Sequence, residues 1–159
     1  MKVGFLGFDF KTKTANLWDE GAQRFPTTNT TDIGRAIVTL LSDPTAREKS
    51  RNKLVYIYDY LTSQKEILAA VEKATGEKWT VNHVESGPVI KNAIAGLQAG
   101  DWGMHNVGPL VLCVPLTDGA YFGGKWRDWT KKAEDETKIL LPGKIDTMEE
   151  TIKRITSEQ

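Results

Sequence analysis

Apolar residues recur at helical spacing in four stretches of the chain. Between Thr30 and Asp43, Ile33, Ala36, Ile37, Leu40 and Leu41 follow the i, i+3, i+4, i+7 rule and predict an amphipathic helix. Thr30, Thr31 and Asp32 offer oxygens to its free N-terminal amides, and Asp43-Pro44 ends it. Ser63 and Glu66 form a capping box for a second helix, which carries Ile67, Leu68, Val71 and Ala74 on one face and stops at Gly76. A third starts at Ser86-Gly87-Pro88, buries Ile90, Ala93, Ile94 and Leu97, and stops at Gly100. The last is C-terminal, with Asp146 and Glu149 as its capping pair and Met148, Ile152 and Ile155 as its stripe.

Strand patterns lie between these helices. Lys53 to Tyr60 is β-branched and aromatic on both faces, which predicts a strand covered on both sides. Trp79 to Val84 alternates and predicts a partly covered strand. The opening MKVGFLGFDF reads as a buried strand, and Lys11 to Trp18 as a hairpin that ends in the turn residues Asp19-Glu20-Gly21. Strands alternating with helices imply an α/β fold with parallel pairing.

Composition sets bounds on this picture. With 159 residues and 40% hydrophobic content, the expectation is one domain. Lys plus Arg and Asp plus Glu both total 21, so there is no basic field to hold a nucleic acid or an anionic membrane surface. Cys113 is the sole cysteine, which excludes an internal disulfide and suits a reducing compartment. The longest apolar run, around Leu110 to Val114, is far below the roughly 18 residues that span a bilayer. The N-terminus lacks a signal-peptide pattern, so the expected location is cytoplasmic.

Three short motifs invite chemistry and fail on context. The Gly-x-Gly-x-x-Gly dinucleotide loop, started at Gly7, meets Asp9 and Thr12 where glycines are required, and no helix pattern follows. Tyr121 and Lys125 have the Tyr-x-x-x-Lys spacing of a catalytic tyrosine and its lysine, which works on a helix; here two glycines separate them. His83, His105 and Cys113 match no zinc-ligand spacing. No catalytic, coenzyme-binding or metal residue is therefore expected. Asp32 reads as a cap. Trp102 to Trp129 is more suggestive, because rings among glycines make walls for a flat apolar ligand. Tyr121, Phe122 and Trp126, with His105 as a group titrating near neutrality and with Phe5 and Phe8 facing the same space, form the expected substrate pocket.

The stretches TTNTTDIGRAIVTLLSDP at 27 to 44, NKLVYIYDYLTSQKEILAAVEKATGEKWTV at 52 to 81 and LLPGKIDTMEETIKRI at 140 to 155 resemble the NmrA-like group of atypical short-chain dehydrogenase/reductases. That group includes the isoflavone reductases, and the resemblance is nearest to its fungal members. It implies the C-terminal part of an NAD(P)-binding Rossmann-like fold with a small substrate-binding subdomain, the N-terminal coenzyme loop being absent. The whole chain, 1–159, is then one partial domain: 1–85 the remainder of the sheet and 86–159 a mainly helical substrate side. Full-length members use NADP or NAD to reduce small molecules. This chain, without the coenzyme loop and the catalytic lysine region, is expected to bind neither coenzyme tightly. Its implied partner is a small-molecule substrate, and its uncovered sheet faces leave room for self-association. Some members of the group act instead as NAD(P)-responsive regulators that bind a protein, and an incomplete gene product is the remaining alternative.

Overall fold

The computed structural model of the chain describes residues 5–116 and 136–157. It begins with a 3-10 turn at Phe5–Gly7, followed by strand β1 (Phe8–Asp9) and strand β2 (Thr14–Trp18). These two pair as an antiparallel hairpin, with Phe8 opposite Ala15, as the sequence predicts. The opening strand is shorter than expected. Leu6 and Gly7 both have positive φ, 68° and 88°, which a strand does not accommodate. A Cβ at Gly7 would collide with the Asn16 carbonyl oxygen, so the close approach of this turn to β2 requires glycine.

Strand β3 (Arg24–Thr27) leads into α1 (Thr30–Ser42), and α2 (Pro44–Ser50) follows at once. Asp43-Pro44 does end α1, and it also starts α2. The Asp43 carboxylate accepts from the amides of Thr45 and Ala46, and Pro44 occupies the first turn, where no amide is missed. Strand β4 (Tyr60–Ser63) pairs antiparallel with β3, Phe25 opposite Thr62. The strand expected over 53–60 is regular only from Tyr60. Upstream, the Tyr56 amide donates to Glu136 Oε2 at 2.7 Å and the Tyr58 amide to Thr137 Oγ1 at 3.2 Å, so side chains take up groups that a ladder would use.

Helix α3 (Gln64–Thr75) has the predicted capping box, with Ser63 and Glu66 satisfying each other's amides. Gly76 ends it in the left-handed conformation at φ 71°. Strand β5 (Thr80–Val84) then pairs parallel with β2, Ala15 opposite Val81, which bears out the α/β expectation. The described strands form a three-stranded sheet in the order β1-β2-β5 and a separate β3-β4 pair. Helix α4 (Ser86–Gln98) is capped from elsewhere in the chain: Asp19 accepts from the Ser86 amide at 2.8 Å and from its hydroxyl at 2.6 Å. Helix α5 (Met104–Leu116) covers a segment expected as loop and apolar run. Helix α6 (Met148–Ser157) begins with a capping box one residue later than predicted. Thr147 and Glu150 exchange the two bonds, the Glu150 carboxylate accepting from the Thr147 amide at 2.7 Å.

Two apolar clusters hold these elements. The larger joins Phe8, Leu17, Phe25, Ile67, Val71, Trp79 and Ile152, with Phe8 and Phe10 edge-on to Trp79 at ring separations of 6.1 and 5.0 Å. The smaller joins Ala36, Ala46, Leu140 and Leu141. Helix α1 departs from its predicted burial. Of its predicted stripe only Ala36 is buried, whereas Ile33, Ile37 and Leu41 are 43, 52 and 72% exposed, as is Val38 outside the stripe at 63%. The amphipathic pattern is real, but most of its apolar face has no cover among the described residues.

Candidate functional site

Of the residues expected to line a pocket, Phe5, Phe8 and His105 lie among the described residues. Phe8 is 1% exposed and belongs to the larger core cluster, so it presents no surface to a ligand. Phe5 lies in the opening turn. His105 is exposed at the start of α5, where its Nε2 lies 2.8 Å from Asp101 Oδ2. Tyr121, Phe122 and Trp126 lie outside the described residues, as does the Tyr121–Lys125 pair. His83 is exposed, with Nδ1 3.0 Å from the Asp19 carbonyl. Among the described residues no group of three His, Cys, Asp or Glu side chains is placed to hold a metal ion.

The strand-to-turn junction at Asp9 does not fit the diphosphate of a nicotinamide coenzyme. Asp9 Oδ1 accepts from the amides of Lys11 and Thr12 at 2.8 and 3.3 Å, and this bonding holds its carboxyl below the usual range. Amides that a phosphate loop would turn toward the ligand are thus bound to a carboxylate, and the turn feeds a strand rather than a helix.

Polar chemistry is concentrated elsewhere, where β3 runs into α1. Asn29 precedes the helix, but its side chain does not cap it. The amide group donates to the Tyr60 hydroxyl at 3.0 Å and to Thr151 Oγ1 at 3.2 Å. Tyr60 in turn donates to the Asp146 carbonyl at 2.8 Å, tying the turn before α6 to this junction. Burial pushes the Tyr60 phenol above its ordinary pKa. Asp32, expected as a cap, is 4% exposed and pairs with Arg35 at 2.6 Å. The Arg35 guanidinium also donates to the carbonyls of Pro142 and Lys144 at 3.1 and 3.2 Å. Asp59 accepts the Asn29 amide at 2.6 Å through Oδ2, while its Oδ1 is buried without a hydrogen-bond partner among the described residues. Burial is the main reason its carboxyl rises to about 6; the Asn29 amide opposes the shift and the nearby Asp32 charge adds to it.

Beside this network runs an open groove of about 460 Å³, walled by Gly34, Arg35, Val38, Thr39 and Pro142. Its polar groups are engaged, Arg35 as above and the Thr39 hydroxyl with the Arg35 carbonyl at 3.1 Å. The groove therefore suits an apolar surface better than an anion. Asp59 gave no sequence signal of its own, since the amide it accepts is 30 residues away, and neither did the bonds of Arg35 to carbonyls 107 to 109 residues away.

No protein-family model matches the chain. It is similar to the oxidoreductase poxI of Penicillium oxalicum, 30% identical over 95 residues, which make up 60% of this chain and 29% of that protein. It is also similar to the oxidoreductase aprR of Aspergillus flavus, 29% identical over 131 residues, or 82% of this chain and 42% of that one. The chain thus spans less than half the length of these curated relatives. Its fold matches part of a solved structure, the apo form of AtPrR2, with a TM-score of 0.58 at 20% identity over 89% of this chain and 44% of that one. The sequence likeness is to oxidoreductases, and the fold is a mixed α/β one consistent with part of a Rossmann-like fold. Among the described residues no helix is long and apolar enough to cross a membrane.

Proposed function

We propose that this chain is the substrate-side part of an NAD(P)-dependent oxidoreductase of the NmrA-like, isoflavone reductase-like kind, acting on small aromatic metabolites in the cytoplasm. The likeness to two fungal oxidoreductases carries this reading. The engaged Asp9 turn supports a coenzyme site supplied by other residues than these. The uncovered aliphatic face of α1 supports it too, because a part of a fold presents apolar faces to the remainder. In this reading 1–159 is one partial domain, and His105, Tyr121, Phe122 and Trp126 line the substrate pocket.

Tryptophan fluorescence tests it. Titration with NADPH should give no saturable change, and titration with an isoflavone should quench saturably. Micromolar NADPH binding would overturn the coenzyme statement, and no response to the isoflavone would overturn the substrate-side assignment.

A second reading, a regulatory module that binds a protein, is favoured by the same face of α1, whose exposed stripe Ile33, Ile37, Val38 and Leu41 carries no charge. Loss of a specific pull-down partner on Ile37→Lys, with isoflavone binding absent, would favour it over the first.

A further inference from the structure

The end of α1 brings an apolar face and a cluster of cations side by side. Ala46 of α2 is buried in one apolar cluster with Ala36 of α1, and Leu40 packs against it, so α2 is fixed beside α1. From there the Arg47 guanidinium donates to the Leu41 carbonyl at 2.9 Å. That carbonyl lies in the last turn of α1, which has no intrahelical donor left for it and where the helix dipole favours a cation. A positive charge thus stands at Leu41, the end of the exposed row Ile33, Ile37 and Leu41. Residues 44–53 contain Arg47, Lys49, Arg51 and Lys53 against the single acid Glu48, which is paired with Arg51 at 2.7 Å. The preceding Asp43 is engaged by the amides of Thr45 and Ala46. Among the described residues Arg47, Lys49 and Lys53 are exposed and have no carboxylate partner.

We propose that α1 and the groove along it bind an amphipathic helix of a partner protein whose polar flank is acidic. This rests on the reading of the chain as a module that binds a protein. The groove passes over Gly34 and Val38, and nothing lies within 4 Å of the place a Gly34 Cβ would take, so apolar side chains of the partner can reach the backbone of α1. From Ile33 to Leu41 the face runs about 12 Å, roughly two turns, which matches the i, i+3, i+4, i+7 anchors of a docked helix. The carboxylates of that helix then meet Arg47, Lys49 and Lys53. A second copy of this chain is the poorer occupant: the one carboxylate on α1, Asp32, is buried and held by Arg35, so two such faces would leave the cations unanswered. A flat anionic membrane would answer the cations but leave the groove unfilled.

Fluorescence anisotropy on the full chain tests this with two synthetic helical peptides of the same leucine spacing, one with glutamates and one with lysines on the polar flank. The glutamate peptide should bind saturably, on the order of tenfold more tightly than the lysine peptide at low salt, and the difference should shrink as salt screens it. Lys49→Glu, at an exposed position, should weaken the glutamate peptide about fivefold. Ile37→Ser should weaken both peptides, because it removes an apolar anchor without touching charge. In the wild type the amide shifts caused by the glutamate peptide should cluster in 33–41 and 47–53, a readout that needs no variant to fold. Equal affinity for the two peptides, or shifts confined elsewhere, would overturn the acidic helix and leave the protein-binding reading standing. Tighter binding to phosphatidylserine vesicles than to the glutamate peptide would overturn it in favour of a membrane surface. Binding of neither peptide would also overturn it, whereas the reading it rests on falls only if Ile37→Lys loses no specific pull-down partner.

Discussion

The side chain of Gln64 accepts the Trp18 backbone amide at 2.8 Å. The same side chain donates through Nε2 to the carbonyls of Leu6 and Asn16 at 2.7 and 3.1 Å, and Gln64 is 1% exposed. One buried carboxamide thus joins α3 to β2 and to the positive-φ turn that opens the described chain. Gln64→Ala leaves three backbone groups without that partner and should cost about 3 kcal/mol. Urea denaturation checks this, and a loss below about 1 kcal/mol would mean that water replaces the carboxamide without penalty.

Gly7 supports the same junction. Gly7→Ala adds a methyl against the Asn16 carbonyl in a conformation already unfavourable to L side chains. The expected loss is about 2 kcal/mol or more, measured by thermal unfolding. Gly76→Ala provides the comparison: it has positive φ but open space around the added Cβ, and should cost only about 1 kcal/mol.

The exposed stripe of α1 should behave as surface. Ile37→Lys and Leu41→Lys should leave stability within about 0.5 kcal/mol of wild type, because neither side chain is buried. Each should lower binding of a hydrophobic dye and any self-association seen by sedimentation. Destabilisation by more than about 2 kcal/mol would show that the stripe is covered in the folded chain.

Glu150 and Asp59 give pH dependences of opposite sign. The Lys144 ammonium, with the Thr147 amide and hydroxyl, holds the Glu150 carboxyl at about 2 against a reference of 4.5. A depressed folded pKa contributes stability that is present above pH 4.5 and lost as pH falls toward 2. Glu150→Gln should therefore be less stable than wild type at pH 7, and the gap should close between 4.5 and 2 in thermal melts. The gap should be small and shrink with salt, since the pair is exposed. Asp59, raised from 3.8 to about 6, works in reverse: stability is lost as pH rises through that interval.

Local interactions were legible in the sequence. The Ser63–Glu66 capping box, the Gly76 stop and the hairpin after β1 depend on residues a few positions apart, and they stand where the pattern put them. Where two neighbouring patterns offered the same chemistry, position slipped, as with Thr147–Glu150 in place of Asp146–Glu149. The strand expected at 53–60 shows another limit. Its β-branched and aromatic residues set an extended preference, but Glu136 and Thr137 take its amides before any neighbouring strand does.

By itself the sequence determined four of the helices, the glycine stop at Gly76 and that helices alternate with strands, because those properties follow from sterics and hydrogen bonds within a few residues. Only the tertiary structure decided that Asp32 is an ion-pair partner rather than a cap, that Phe8 is core rather than pocket wall, and that most of the α1 stripe is bare. Each of these depends on what distant chain brings alongside: Arg35 reaching the 142–144 turn, Trp79 closing over Phe8, and no described element covering Ile37 or Leu41. Hydrophobic spacing marks the face that seeks cover, whereas the cover itself comes from residues far away in the chain.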